Sequence, residues 1–144
     1  MLTSDDLRLV GPDVIEVSAR HERLDPHVKW WVDYAPEPAT TLSGRVVFGT
    51  LHAFGAAGGA EVTVASVIKY PNGASPTSEE FEKALKDSDA LETLYDYART
   101  VVSSVAAIVN ARPELDRKAP EPVFGQLKRA SESDSASTSA SAER

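Results

Sequence analysis

The chain contains no cysteine among its 144 residues. This absence excludes a disulfide framework, a thiolate metal site and a cysteine nucleophile, and it is typical of proteins that mature in a reducing compartment. No apolar run approaches the ~20 residues that span a bilayer. Asp5 and Asp6 occupy the start of the chain, where a signal peptide has basic and then apolar residues. These features predict a cytoplasmic protein that does not insert into a membrane.

Positive charge is also scarce. The chain has 15 Lys and Arg residues against 22 Asp and Glu residues, which gives a formal net charge of −7. Phosphate binding depends on a surplus of Lys and Arg that releases counterions, so nucleic acid is excluded as a partner. The acidity instead favours solubility and basic partners. The length is that of one domain, since roughly 100–200 residues usually close around a single core.

Motifs of catalysis and nucleotide binding are missing as well. The sequence has no G-x-S-x-G elbow, no Walker loop and no G-x-G-x-x-G segment. Its glycine-rich stretch, residues 55–59, lies between two predicted strands, where a phosphate loop would need a helix to follow. We interpret this stretch as a hairpin turn, and we expect no catalytic residue, no cofactor and no enzymatic activity.

The three histidines, His21, His27 and His52, are far apart in sequence. None has another histidine or a carboxylate at a recognised ligand spacing such as H-E-x-x-H. We interpret His52 as a strand residue with one hydrogen-bonded nitrogen and His21 as a surface residue beside Glu22. We therefore expect no metal site.

Alternating apolar and polar residues predict four strands. They are placed at Val14 to Leu24, Val28 to Tyr34, Arg45 to Phe54 and Glu61 to Tyr70. The second ends at two prolines that lack the amide hydrogen of a ladder. The glycines of the 55–59 turn supply positive φ angles, so the third and fourth strands should pair antiparallel.

After the fourth predicted strand, the spacing of apolar residues changes to that of helices. Thr77 and Glu80 form a capping box, which predicts a short helix with a small apolar face. Asp89 and Glu92 repeat this pattern and open a longer helix that runs to about Asn110, before the proline at position 113. The predicted fold class is α+β, with a four-stranded antiparallel sheet followed by a short helix and one long helix packed on it.

The long helix carries more apolar surface than one sheet can bury. Its apolar residues spread over about half the circumference, whereas a buried face needs only about 100°. Small residues on the remaining side allow a second backbone to come close, so we expect a partner helix from another subunit. The predicted interface residues are Leu94, Tyr95, Val101, Val102, Val105 and Val109.

Aromatic residues on the predicted strands form a second group. Adjacent Trp30 and Trp31 must point to opposite faces of the sheet, and a small domain has only one helical layer to cover it. One tryptophan should stay partly uncovered. Either these aromatics are all core or interface residues, or they line an apolar groove for an extended polypeptide segment. The groove candidates are Trp30, Trp31, Phe48, Phe54 and Tyr70.

The end of the chain differs in composition from the rest. Beyond Arg112 it is proline-rich and charged, and from Ala130 it is almost entirely Ser, Ala, Thr, Glu and Asp. Such a segment cannot bury enough apolar area to offset its ordering entropy, so we expect it to be disordered. The predicted organisation is a domain at residues 1–125 and a tail at residues 126–144.

The long helix resembles that of the SecB-like chaperones. Leu94-Tyr95-Asp96-Tyr97-Ala98-Arg99 is similar to their L-[FY]-P-Y-[AI]-R sequence, and Val101-Val102-Ser103-Ser104-Val105 is similar to the apolar stretch that follows it. The segment Thr77 to Phe81 resembles the short helix of members tied to toxin and antitoxin systems. Asp96 replaces the family's proline, and polar residues 112–116 replace an apolar Gly-Phe-Pro-Pro-Leu segment. The tail also lacks the Cys/His cluster of export members.

This resemblance implies an ATP-independent holdase that binds unfolded or extended segments along apolar grooves. It also implies assembly as a homodimer or a dimer of dimers, with a role in protein export or in toxin-antitoxin control. The alternative is a small homo-oligomeric adaptor that recognises one folded partner. Suppression of the aggregation of an unrelated unfolding protein, without nucleotide, distinguishes the two.

Overall fold

Five strands and two α-helices form in the part of the chain that the computed structural model describes, residues 2–22, 25–38 and 43–127. A short 3-10 helix at Ser4–Asp6 precedes them. The strands are β1 (Arg8–Arg20), β2 (His27–Tyr34), β3 (Gly44–Gly55), β4 (Gly58–Lys69) and β5 (Val123–Gln126), and the helices are α1 (Ser78–Lys86) and α2 (Asp89–Ile108). None of these helices is long and apolar enough to cross a membrane.

The strands form one sheet in the order β1-β4-β3-β2-β5. The four predicted strands are all present and pair antiparallel, and β3 and β4 form the predicted hairpin around the turn at Ala56 and Ala57. The fifth strand was not predicted. It pairs parallel with β2, from Trp31 opposite Val123 to Tyr34 opposite Gln126. Four residues are too few for a period-two pattern to be read from sequence.

Strand β1 starts six residues earlier than predicted, at Arg8. Gly11 and Pro12 interrupt the alternation there, and the register with β4 shifts between Val10 and Asp13. Such a bulge lets one strand carry an extra residue without ending the ladder. The strand ends at Arg20, and the predicted end at residue 24 lies outside the described residues.

The helix starts follow the capping pattern with one correction. Thr77 Oγ1 accepts a hydrogen bond from the Glu80 amide at 3.2 Å, and the Thr77 amide donates to Glu80 Oε1 at 3.1 Å, which confirms the capping box of α1. The cap of α2 is Ser88, whose Oγ accepts from the Leu91 amide at 3.1 Å. Asp89 is the first helical residue instead, where its negative charge complements the helix dipole.

Residues 111–122 form no helix and lead irregularly from α2 to β5. They are tied to the core where Tyr95 Oη donates to the Asp116 carbonyl at 2.6 Å. The Leu127 amide donates to the Tyr34 carbonyl at 2.9 Å, so pairing extends just past β5. Residues 126 and 127 thus continue the sheet, and the rest of the predicted tail lies outside the described residues.

The core lies between α2 and one face of the sheet. Helix α2 packs on β4, β1 and β3. Trp30 is central to this layer, since its side chain is 2% exposed and its ring meets Tyr95 edge to face with centroids 5.5 Å apart. The ring lies over Gly49, the position on β3 where a side chain would occupy the same space. The largest fully buried side chains include Trp30, Tyr34, Tyr95, Phe81, Leu51, Ile68, Leu85 and Leu94.

A buried arginine joins the sheet to the start of α1. Arg45 is 3% exposed, and its guanidinium donates to the Pro36 carbonyl at 2.9 Å, to the Pro76 carbonyl at 2.8 Å and to Ser78 Oγ at 3.0 Å. It also stands 5.3 Å from the centre of the Phe81 ring. These bonds compensate the burial of the charge and fix α1 against the end of β2.

Replacing Gly49 with alanine should destabilise the fold. The added Cβ would overlap the Trp30 ring and come within 3.2 Å of Leu94 Cδ2. Overpacking of this kind costs about 1–3 kcal/mol of unfolding free energy, which urea denaturation measures. Gly55→Ala is the matched control on the same strand, because its Cβ would approach only Pro113 Cα at 3.9 Å. Equal stability of the two variants would contradict the packing described here.

Candidate functional site

The second face of the sheet is only partly buried. Along most of β2, β3 and β4, side chains that face α2 are buried, whereas those that alternate with them are intermediate or exposed, with Phe54 as a buried exception. Cross-strand partners share a face, and the register therefore places one set of residues together. We call this set the open face: Trp31, Asp33, Val46, Phe48, Thr50, Thr63, Ala65 and Val67.

The open face is largely apolar at its centre. One cross-strand row joins Trp31, Thr50 and Thr63, and the two threonine hydroxyls lie 3.0 Å apart. The next row joins Asp33, Phe48 and Ala65. The threonine hydroxyls satisfy one another, so the middle of the face presents methyl groups and aromatic rings. A flat surface of this kind suits an apolar partner.

The two outer strands of the sheet, β1 and β5, each have one side with no paired strand among the described residues. The outermost residue of β5, Val123, is 62% exposed, and it lies directly opposite Trp31. An unpaired strand edge offers main-chain hydrogen bonds to an incoming extended segment. The β5 edge therefore adjoins the end of the open face that carries Trp31.

The β1 edge has a different character. Val14 and Val17 pair with β4 residues that face α2, yet they remain 40% and 46% exposed. On α2, Val101 and Val105 are half-buried and Ile108 is 79% exposed. These three lie at a spacing of four and then three residues, so they share one stripe of the helix. We call these five residues the β1-α2 apolar strip.

The structure separates the five predicted groove residues. Trp31 and Phe48 lie on the open face and are half-buried. Trp30 and Tyr70 are 2% and 4% exposed and belong to the core beneath the helices. Phe54 is 2% exposed, and it is covered on the open-face side by the Arg20 guanidinium, 5.8 Å from the ring centre. The prediction that Trp30 and Trp31 point to opposite faces is confirmed.

The predicted interface residues divide in the same way. Leu94, Tyr95 and Val102 are fully buried within this chain, against the sheet. Val101 and Val105 are partly exposed, as is Val109. The helix thus uses one part of its broad apolar arc for its own core and leaves the other part uncovered. The sequence missed the accompanying β1 valines, because alternation alone does not reveal how far a helix extends over an edge strand.

Burial raises the pKa of two side chains, Asp33 and Tyr34, near the place where β5 meets β2. Burial raises the pKa of Asp33, which lies on the open face so close to β5 that a Cβ on Gly125 would come within 2.5 Å of its Oδ1. On the other side of the sheet, Tyr34 Oη donates to Glu82 Oε1 at 2.9 Å. Burial and this acceptor both raise the pKa of the Tyr34 hydroxyl.

No protein-family model matches the sequence, and no curated protein matches it. Among solved structures, the fold is similar to that of the SecB-like chaperone Rv1957 of Mycobacterium tuberculosis, in complex with a ChAD peptide from the Rv1956 HigA1 antitoxin. The TM-score is 0.57 at 18% sequence identity, and the match covers 82% of this chain and 94% of that chain. This chain has a SecB-like fold. The α+β class and the fold implied by the SecB-like resemblance are confirmed.

The SecB-like motif on α2 has a clear structural role. Leu94, Tyr95 and Ala98 are fully buried, and Tyr95 packs on Trp30. Asp96, which replaces the proline of the SecB-like motif, is exposed and pairs with Arg99. Asp96 is the eighth residue of α2, where a proline would remove a main-chain hydrogen bond, so the aspartate suits a continuous helix that starts at Asp89. The motif thus identifies the face of α2 that lies on the sheet.

Replacing Asp33 with asparagine should stabilise the protein at neutral pH. Since folding raises the pKa of this carboxyl above its usual value of 3.8, ionisation costs stability as the pH rises from about that value through the raised pKa. Asparagine has nearly the same shape and never ionises. We expect its melting temperature to exceed that of the wild type at pH 7.

The difference in melting temperature between Asp33→Asn and the wild type should shrink in acid. It should vanish below the usual pKa of the carboxyl, where both side chains are neutral. Asp13→Asn is the matched control, since Asp13 lies across from Ala65 on the same face but is exposed. We expect no change for it at any pH. A wild type that is more stable than Asp33→Asn at pH 7 would show that the Asp33 carboxylate has a stabilising partner.

Proposed function

We propose that this protein is an ATP-independent chaperone that holds extended polypeptide segments on the open face and along the β5 edge. The observation that carries the proposal is the open face itself, a largely apolar sheet surface with Trp31 and Phe48 only half-buried. The SecB-like fold supports it, because the similar structure of Rv1957 holds a peptide from an antitoxin. The role requires no catalytic residue and no cofactor.

Side-chain burial and main-chain pairing would share the binding energy. Fully burying a large apolar side chain contributes about 1.5–3 kcal/mol. A few such contacts give roughly micromolar affinity after the cost of association is subtracted. A segment paired along β5 would add hydrogen bonds that do not depend on its sequence. This combination favours clients that are extended, apolar and varied.

The pathway we favour is toxin-antitoxin control, with an extended segment of an antitoxin as the client. The peptide in the Rv1957 complex supports this choice. Protein export is the second pathway, but the chain has no cysteine, and export members of the SecB-like chaperones use a Cys/His cluster. A cytoplasmic location suits both pathways.

We further propose that the protein is a homodimer or a dimer of dimers, joined through the β1-α2 apolar strip. The strip leaves Val14 and Val17 of β1 and Ile108 of α2 exposed beside an unpaired strand edge. Partner copies would cover them and pair that edge. Because β1 and β5 are opposite ends of the strand order, assembly and client binding would use separate edges.

Replacing Trp31 with alanine should weaken client binding about tenfold or more, because the indole supplies much of the apolar area of the open face. The measurement is the fluorescence anisotropy of a labelled, permanently unfolded protein and of an antitoxin-derived peptide. Holdase activity is measured in parallel as suppressed aggregation without nucleotide. Unchanged melting temperature and oligomeric state establish that the variant is folded.

Two single lysine substitutions, one on the open face and one away from it, provide a matched test of where the client binds. Thr50→Lys places a charge beside Trp31 at the centre of the open face, and Thr100→Lys places the same charge on the exposed side of α2. We expect only Thr50→Lys to abolish binding. Wild-type affinity and holdase activity in both Trp31→Ala and Thr50→Lys would favour the adaptor that recognises one folded partner.

Substitutions at two valines of α2 distinguish an effect on oligomer assembly from an effect on folding. Val105 is partly exposed, so Val105→Asp should dissociate the oligomer while the chain keeps its circular dichroism spectrum. Val102 is fully buried, so Val102→Asp should unfold the chain, since an unpaired charge in a core costs several kcal/mol. Light scattering coupled to size exclusion measures the first effect. A monomeric wild type of 15.4 kDa at micromolar concentration would refute the proposed assembly.

A further inference from the structure

Two histidines from neighbouring strands face each other at one end of the sheet. His27 begins β2 and lies directly opposite Phe54, and His52 is two residues before Phe54 on β3. Both side chains therefore project from the same face as Trp31 and Phe48. Their Nε2 atoms are 2.8 Å apart, and the ring centroids are separated by 4.9 Å.

The other nitrogen of each ring is held by an acceptor. His52 Nδ1 lies 3.1 Å from Glu61 Oε1, and His27 Nδ1 lies 2.7 Å from the Asp25 carbonyl oxygen. A carboxylate and a carbonyl only accept hydrogen bonds, so both Nδ1 atoms carry a hydrogen. In the neutral form an imidazole has one N–H. Both Nε2 atoms therefore direct a lone pair toward the space between the rings.

Two lone pairs at this distance repel unless a positive centre lies between or beside them. A shared proton would serve, and so would a metal ion bound by both nitrogens. Histidines that bind metals almost always donate their second N–H to a carboxylate or a backbone carbonyl, which fixes the tautomer and aims the free nitrogen. Glu61 and the Asp25 carbonyl provide both kinds of acceptor in one site.

The spacing of the two Nε2 atoms is compatible with a tetragonal ion, and the imidazole ligands order the metals by affinity. With metal–nitrogen bonds of about 2.0 Å, two ligands at 90° in a tetragonal or octahedral site have nitrogens about 2.8 Å apart. The tetrahedral angle preferred by Zn²⁺ requires about 3.3 Å. Imidazole ligands suit Cu²⁺ and Ni²⁺, and Cu²⁺ binds most tightly in the first-row series.

We propose that His27 and His52 form a binding site for a tetragonal late first-row divalent metal ion, Cu²⁺ or Ni²⁺ in preference to Zn²⁺. Among the described residues no group of three or more His, Cys, Asp or Glu side chains is arranged as a metal site. The two histidines are thus the protein ligands, and water completes the shell. His27 lines an open cavity of about 530 Å³, so one side of the pair faces solvent.

The surroundings are compatible with a bound cation. Glu61 contributes a negative charge next to His52. Three cations lie nearby: Lys29 Nζ is 5.9 Å from the Trp31 ring centre, Arg20 pairs with Glu22 at 3.7 Å and stands over Phe54, and Arg112 lines the same cavity as His27. The Trp31 ring meets His52 edge to face with centroids 6.1 Å apart. A paramagnetic ion at the site would therefore quench Trp31 fluorescence.

The test is a titration of the untagged full chain with Cu²⁺ and with Ni²⁺ at pH 7.5, followed by calorimetry and tryptophan fluorescence. We expect one ion per chain, tighter binding of both ions than of Zn²⁺, and quenching that Trp31→Phe removes. Electron paramagnetic resonance of the Cu²⁺ form should show coupling to two imidazole nitrogens. Circular dichroism in EDTA confirms that each variant is folded.

His27→Ala and His52→Ala should each weaken binding by at least 100-fold, and Glu61→Ala should weaken it about 10- to 100-fold through the loss of the supporting acceptor. His21→Ala is the matched control, because His21 is exposed and lies outside the strands that carry the pair. Wild-type binding no tighter than that of His27→Ala would overturn the proposal, as would binding that requires His21. In either case the pair shares a proton instead.

Discussion

One helical layer covers a sheet that has two faces, and this imbalance determines the arrangement of the whole domain. A helix of 20 residues is about 30 Å long, and α2 uses that length to cover β4, β1 and β3 on one side. Trp30 fills the layer between helix and sheet, and Gly49 leaves the room for its ring. Trp30, Tyr34, Phe81 and Tyr95 are buried in this layer, and most strand side chains that alternate with the buried ones are only partly buried.

The uncovered surfaces differ in composition and are set apart by the strand order. The open face combines aromatic rings with threonine methyl groups and ends at β5, whereas the β1-α2 apolar strip is formed almost entirely by branched aliphatic side chains. A chain that assembles through one edge therefore keeps the other edge and the open face available.

Much of the fold was predictable because it depends on local patterns. Alternation located four strands, the 55–59 turn indicated the hairpin, and Thr77 with Glu80 marked the start of α1. The strand β5 was missed because its pairing with β2 depends on a distant partner and not on a pattern of its own. The candidate site was less predictable for the same reason. Trp31 and Phe48 share a face only through the strand register, and so do His27 and His52.

The positions of the outer strands also bear on the order in which the chain folds. The hairpin of β3 and β4 joins residues that are close in sequence, whereas Tyr34 on β2 and Gln126 on β5 are 92 residues apart. Contacts between distant residues require the closure of long loops and form slowly. During synthesis, the central hairpin can pair long before β5 leaves the ribosome. The sheet is therefore completed last at its β5 edge, next to Trp31.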